Sequence, residues 1–432
     1  MRYSKIETTF FLQNRSQLKE KLKENSIAII NSNDEMPRNG DQTFPYRQSS
    51  DFFYFTGIEQ EQSILVLCPN HPDTELQEVL FIERPEKTKE RWYGYRLSKK
   101  EAQEISGISM IKYLDEFSNI SRNLILNSEN IYLNINEFSK YSTDIESRDF
   151  RFLNTLKKNY PLHKFKRLAP HITNLRLIKK PVEIELMQKA IDITNSAFKR
   201  VLTFTKPDVL EYEIEAELTH EFIRNGANGH AYAPIVASGA NGLVLHYVKN
   251  NKKCLNGELV LMDFGAEYAN YSADCTRTFP ANGKFTPRQK EVYEAVLRVL
   301  KKAKKLLVPG TIIEQYNKKI KEFMAQECVQ LGLFSQEELD HQNPDKPLVM
   351  KYFMHGTSHF MGLDVHDVGS YYNPLEKGMV LSCEPALYID DENIAIRLEN
   401  DILVDDIPID LMENIPIEIE DIERIMNENK KN

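Results

Sequence analysis

The residues with most chemistry to offer lie in three stretches of the C-terminal half. They are "LVLMDFGAEYANYSADCTRTF" (259–279), "KYFMHGTSHFMGLDVHDVG" (351–369) and "MVLSCEPALYIDDENIAIRLENDILV" (379–404). In the first, two apolar runs flank a small, turn-prone segment, the pattern of an antiparallel hairpin. A turn at 268–269 would set Asp263 directly opposite Asp274, with Cβ atoms about 4.5–5.5 Å apart. Carboxylates that close repel each other unless positive charge lies near. An ion pair with Arg277, a buried protonated acid or a metal would each supply a solution. The third stretch repeats the pattern around "DDEN". A turn at 391–392 sets Glu384 opposite Glu399, and Arg397 opposite Ala386 on the same face. Two hairpins that each deliver a carboxylate pair favour a metal. His355, His359 and His366 lie between them in a Gly-punctuated segment. Four carboxylates balance the charge of two divalent ions, and one imidazole completes an oxygen-rich set. Mn²⁺ suits those ligands best, Fe²⁺, Co²⁺ and Zn²⁺ are compatible, and Mg²⁺ is less apt beside a histidine. Cys275 and Cys383 adjoin these acids, but strand alternation turns them to the opposite face as core thiols.

These hairpins need a scaffold, and 432 residues suggest two domains. Residues 1–175 read as an α/β domain, with "SIAII", "DFFYFTG", "SILVLCP" and "EVLFIE" as short β-rich runs. Residues 176–432 read as an α+β domain. Pro181 fits a first helical turn, with Ile184, Met187, Ile191, Thr194, Phe198 and Val201 following at three- and four-residue steps. Thr286, Pro287 and Gln289 form a capping box before a second long helix. Beyond about residue 413 the chain turns polar and is expected to fray. The net charge of −9 and the lack of a basic stripe argue against nucleic acid. No stretch approaches a membrane span. Five scattered cysteines without C-x-x-C spacing imply thiols and a cytosolic setting.

In order and spacing, "MDFGAEYANYSADCTRTFP", "HGTSHFMGLDVHDVG", "LSCEPALYI" and "IRLENDILV" resemble the motifs of the pita-bread (creatinase/aminopeptidase) metallopeptidases. Within that superfamily the likeness is to the Xaa-Pro aminopeptidases, or aminopeptidases P. It extends to "FPYRQSSDFFYFTGIEQ" in the N-terminal domain and "LRLIKKPVEIELMQKA" at the start of the catalytic one. Two departures, Ala386 after Pro385 and Asn400 after Glu399, fall on positions that are not ligands in the family. The resemblance implies two divalent ions held by Asp263, Asp274, His359, Glu384 and Glu399, with Asp274 and Glu399 bridging. It assigns catalytic parts to Glu384, His366 and His355, and substrate binding to His246, His355, His366, Tyr388 and Arg397. His246 could equally be a satisfied core histidine, and Arg397 a counter-ion for Glu399 alone. Trp92, the only tryptophan, would reach a neighbouring subunit's site. An N-terminal domain serving oligomerisation and site covering, in a dimer or tetramer, is implied with it. The implied reaction removes the first residue from peptides with proline in second position. A prolidase acting on Xaa-Pro dipeptides and a non-catalytic peptide-binding module are the alternatives. A serine hydrolase built on Ser358 lacks a G-x-S-x-G elbow.

Overall fold

The computed structural model describes residues 2–138, 140–141 and 143–428. Two compact units emerge, one spanning Ser4–Arg176 and the other running from Leu177 onward. The first is built on a six-stranded mixed sheet. Its strands lie in the order Met110–Tyr113, Glu78–Ile82, Ile64–Leu67, Ser26–Asn31, Asn130–Leu133 and Lys164–Arg167. Ile64–Leu67 runs antiparallel to both neighbours, while the outer pairings are parallel. The central strands are buried on both faces, which is why they read as unbroken apolar runs. Ile27, Ile29, Val66, Val79, Phe81 and Ile131 form one core beneath the sheet.

One expected strand is a helix. "DFFYFTG" folds as Ser50–Thr56, capped by Ser49 Oγ accepting from Phe52 N–H and closed by Gly57 at φ 65°. A short, wholly apolar run has no period with which to separate strand from buried helix. Here the caps decide, and Phe52 to Phe55 are all buried.

The second unit pairs long helices with small antiparallel sheets. Pro181–Phe204 starts with proline in its first turn, and Thr286 and Gln289 form the expected capping box of Pro287–Lys304. Strands Ile235–Ser238, Leu259–Phe264 and Cys275–Pro280 form one sheet. Val380–Cys383 pairs with Asn400–Leu403, and Ala386–Ile389 with Ile394–Arg397. The tail does not fray at 413. Ile419–Glu428 is a helix whose Ile419, Ile422 and Met426 are buried, packed against Pro181–Phe204. Their three- and four-residue spacing is an apolar stripe hidden among acids. No helix among the described residues is long and apolar enough to cross a membrane.

Candidate metal centre

The first hairpin brings its aspartates together in a register other than the expected one. Asp263 pairs with Thr276, not with Asp274. The chain reverses one residue later than expected, at Ala269 and Asn270, both left-handed at φ 51° and 66°. Such turns favour Asn-Gly or Asp-Gly, so Ala269 carried no signal. A shift of two residues preserves the face. Asp274 therefore still lies on the Asp263 side, and Oδ1 of each aspartate is 2.6 Å from the Tyr232 hydroxyl. Gly265 makes this possible, because a Cβ there would collide with the Ala273 carbonyl.

The second hairpin has the expected register. Ala386 faces Arg397 and Cys383 faces Asn400, leaving Glu384 and Glu399 at the unpaired step between. Both are pinned by their backbones: Glu384 N–H donates to Thr357 O (2.9 Å) and Glu399 N–H to Thr276 O (3.1 Å). The two hairpins are thus stitched to each other and to the histidine segment. Thr276 Oγ1 donates to Glu399 Oε2 at 2.6 Å and accepts from Arg397 Nε at 3.0 Å. Arg397 gives its ion pair to Asp263 (Nη2 to Oδ2, 2.6 Å), and its other terminal nitrogen reaches the Tyr388 hydroxyl at 2.9 Å. It is therefore more than a counter-ion for Glu399.

His359 faces the acids. Its Nε2 is 3.2 Å from Asp274 Oδ2, 3.7 Å from Glu384 Oε1 and 4.0 Å from Glu399 Oε1. Nδ1 lies 3.2 Å from Phe360 O, a contact that keeps a proton on Nδ1 and leaves Nε2 as the nitrogen that would bind a metal once its own proton is displaced. His355 Nε2 sits 3.0 Å from Tyr388 Oη, and its Nδ1 is 3.6 Å from Glu384 Oε2. The exposed His366 ring packs edge-on against His359 with centroids 4.5 Å apart. His246 is exposed, beyond the short helix Gly239–Leu243, and close enough for its charge to act on His355. Trp92 belongs to the first unit, 85% exposed on helix Lys87–Tyr93. Ser358 is buried, and no histidine is hydrogen-bonded to it among the described residues.

Burial dominates the electrostatics. It raises Glu384 to about 7, against the pull of His359 and Arg397 and with added repulsion from Asp274 and Asp263. Glu399 is pushed well above the carboxylate range by burial and then by Asp274, Glu384 and Asp263. Asp263 also rises through burial, opposed by Arg397 and reinforced by Asp274. For His359, burial works against the charged form, yet the Asp274 hydrogen bond and the Glu384 charge outweigh it and lift the ring to about 9. His355 goes the other way, to about 3, through burial and then the Arg397 charge. The cluster is short of positive charge, which is what buried acids awaiting cations look like.

The profile of metallopeptidase family M24 matches residues 185–406, and that of the aminopeptidase P N-terminal domain matches residues 11–132. The chain belongs to metallopeptidase family M24. It is 36% identical to the Xaa-Pro aminopeptidase of Escherichia coli, over 93% of each chain. With human Xaa-Pro aminopeptidase 3 the identity is 32%, over 93% of this chain and 81% of the relative. The structure of E. coli aminopeptidase P with the inhibitor Pro-Leu superposes with a TM-score of 0.88. That match has 34% identity and covers 99% of this chain and 100% of the other. The fold is accordingly an N-terminal α/β domain followed by the pita-bread domain.

A metallopeptidase of this family works with divalent ions, and the donor set fits them. Asp274, His359 and Glu399 present ligand atoms within 4.8 Å of one another, flanked by Asp263 and Glu384. Sequence reasoning missed three supporting residues. Tyr232, in "HAYAPIV", carried no signal. Thr276 and Asp401 did, by strand alternation: they follow Asp274 and Glu399 by two residues and share their faces. Asp401 is wholly buried and accepts from Asp274 N–H at 3.2 Å.

A pH dependence follows. Glu384 and His359 have raised values in the folded metal-free chain. The stability each contributes is full below its unfolded pKa and is lost as pH rises through about 7 and about 9 respectively. Metal ions compete with those same protons. The rise in Tm on adding Mn²⁺ should therefore be larger at pH 8 than at pH 5, as thermal denaturation would read. A larger rise at pH 5 would contradict the assignment.

Proposed function

We propose that this protein is a dinuclear metallo-aminopeptidase that releases the N-terminal residue from peptides whose second residue is proline. The observation that carries the reading is the convergence of Asp263, Asp274, His359, Glu384 and Glu399 in one buried cluster bordered by His355, His366 and Arg397. The names of its relatives favour an aminopeptidase over a dipeptidase. In this reading all five would hold two divalent ions, and Mn²⁺ would be the preferred metal. When bound, the ions lower the pKa of a water towards neutrality and polarise the substrate carbonyl.

The chain's own residues do the rest. Glu384, beside His355 and His359, takes a proton from the attacking water and passes it to the leaving nitrogen. That nitrogen is tertiary when the second residue is proline and brings no N–H of its own. His366 donates a hydrogen bond to the carbonyl oxygen as negative charge develops. His355, held neutral, stands in line with Tyr388 and Arg397 and braces the pocket beside Glu384. His246 binds substrate from the exposed loop. The α-amine sits against Asp263, which fixes the cut after residue one. Five buried thiols fit a cytosolic enzyme. The exposed Trp92 fits a homo-oligomer in which the N-terminal unit of one copy covers the site of another.

Two measurements test this reading. Elemental analysis after Mn²⁺ loading should find more than one equivalent per chain; full activity at one equivalent would remove the dinuclear site. His366→Ala should lower kcat by about 10²–10³-fold with metal content unchanged. A wild-type rate would take His366 out of the reaction.

A further inference from the structure

Helix Ile313–Gln330 runs beside the segment that carries His355, and one residue on it has no explanation in the fold. Asn317 faces that segment directly. Its Oδ1 accepts from Thr357 N–H at 2.8 Å, and its amide lies against Gly356. Lys321 is one turn further on, at i+4, on the same stripe of the helix. Side chains on a helix lean back towards its N-terminus, so the Lys321 stem runs over the Asn317 turn, towards Gly356 and His355. Its charge is accordingly felt at His355.

Lys321 is half-buried, and no ion pair or hydrogen bond of its ammonium occurs among the described residues. Burial alone lowers its pKa; no carboxylate offsets the cost. The neighbouring lysines on the helix differ. Lys319 pairs with Glu322, and Lys318 stands in solvent. The other fixed cation near His355, Arg397, is committed to Asp263 and Tyr388. Lys321 is thus a partly desolvated cation beside a peptide-binding centre, with its partner still to come. A charge taken from water needs a counter-charge, and the substrate can bring one.

We propose that Lys321 is a specificity-determining residue that binds a carboxylate of a short peptide substrate on the His355 side of the centre. This rests on the aminopeptidase reading and deepens it, because it selects among peptides with proline in second position. Two sources of that carboxylate are chemically open: the free C-terminus of a short peptide, or an acidic side chain of a longer one.

The test compares three peptides on the metal-loaded protein: Xaa-Pro-Yaa with a free C-terminus, the same peptide amidated, and an amidated peptide with Glu as Yaa. A carboxylate-bearing peptide should have a KM about 5-fold below that of the neutral amide, the scale of a half-exposed ion pair. Advantage for the free acid alone names the C-terminus; advantage for the Glu peptide alone names the side chain. Lys321→Gln should bring the ratio to about 1, while Lys318→Gln, with the same loss of charge on the same helix, should leave it. A wild-type ratio near 1, or one that survives Lys321→Gln, overturns the proposal. A protein that cleaves none of the three overturns the aminopeptidase reading instead. The acid-to-amide ratio is then read from calorimetric Kd values, with the same criterion.

Discussion

Glu384→Gln should lower kcat by about 10³-fold or more, near the upper end of what one acid–base group supplies. The amide has nearly the carboxylate's shape, so the backbone hydrogen bond to Thr357 and the contact with Ser382 Oγ remain available. Two things are lost. A negative charge leaves the ligand set, which weakens metal binding, and no carboxylate remains beside His359 and His355 to carry the proton. The two losses separate experimentally. Raising Mn²⁺ until elemental analysis shows full occupancy restores the first but not the second. The deficit that persists at full occupancy reports proton transfer. A fully loaded variant with a rate within about tenfold of wild type would transfer that step to another residue.

How much of this centre could be read beforehand differs between its two hairpins. The second was legible in detail because its turn is polar and its flanking runs are symmetrical about it. The pairing of Ala386 with Arg397 came out as expected. In the first, the turn residues Ala269 and Asn270 are left-handed, and nothing in an Ala-Asn dipeptide announces that. The register slipped, yet the face survived because the slip was even. Metal chemistry was therefore legible while backbone pairing was not. Tyr232 was out of reach for a different reason. A phenol touching both Asp263 and Asp274 comes from a bend between strands Gly229–His230 and Ile235–Ser238, distant in sequence, and only tertiary packing brings it there. Helix Ser50–Thr56 failed for want of period, and helix Ile419–Glu428 because acids outnumber its three buried apolar residues.

The other large effect concerns what is cut. The protein should release the first residue rapidly from Xaa-Pro-Yaa, and more slowly from Xaa-Ala-Yaa, acetyl-Xaa-Pro-Yaa and the dipeptide Xaa-Pro. Alanine keeps the scissile carbonyl but gives up the ring contacts, a loss of roughly 1–3 kcal/mol or about 10–200-fold in kcat/KM. It also restores an N–H to the leaving nitrogen, which a centre using Glu384 as proton donor does not require. Acetylation should cost more than alanine does. It removes the positive charge that would lie against Asp263, a partly buried aspartate held beside Arg397, Asp274 and Tyr232. It also adds bulk where the peptide must end. The dipeptide tests the remaining alternative, since a prolidase must hold the carboxylate that directly follows the proline ring. Arg397 is unsuited to that task, because its terminal nitrogens are committed to Asp263 and Tyr388. Fast cleavage of the dipeptide alone would make the protein a prolidase. Binding of Xaa-Pro-Yaa without cleavage, at full metal occupancy, would make it a peptide-binding module, and equal rates on all four peptides would remove both the proline pocket and the amine anchor.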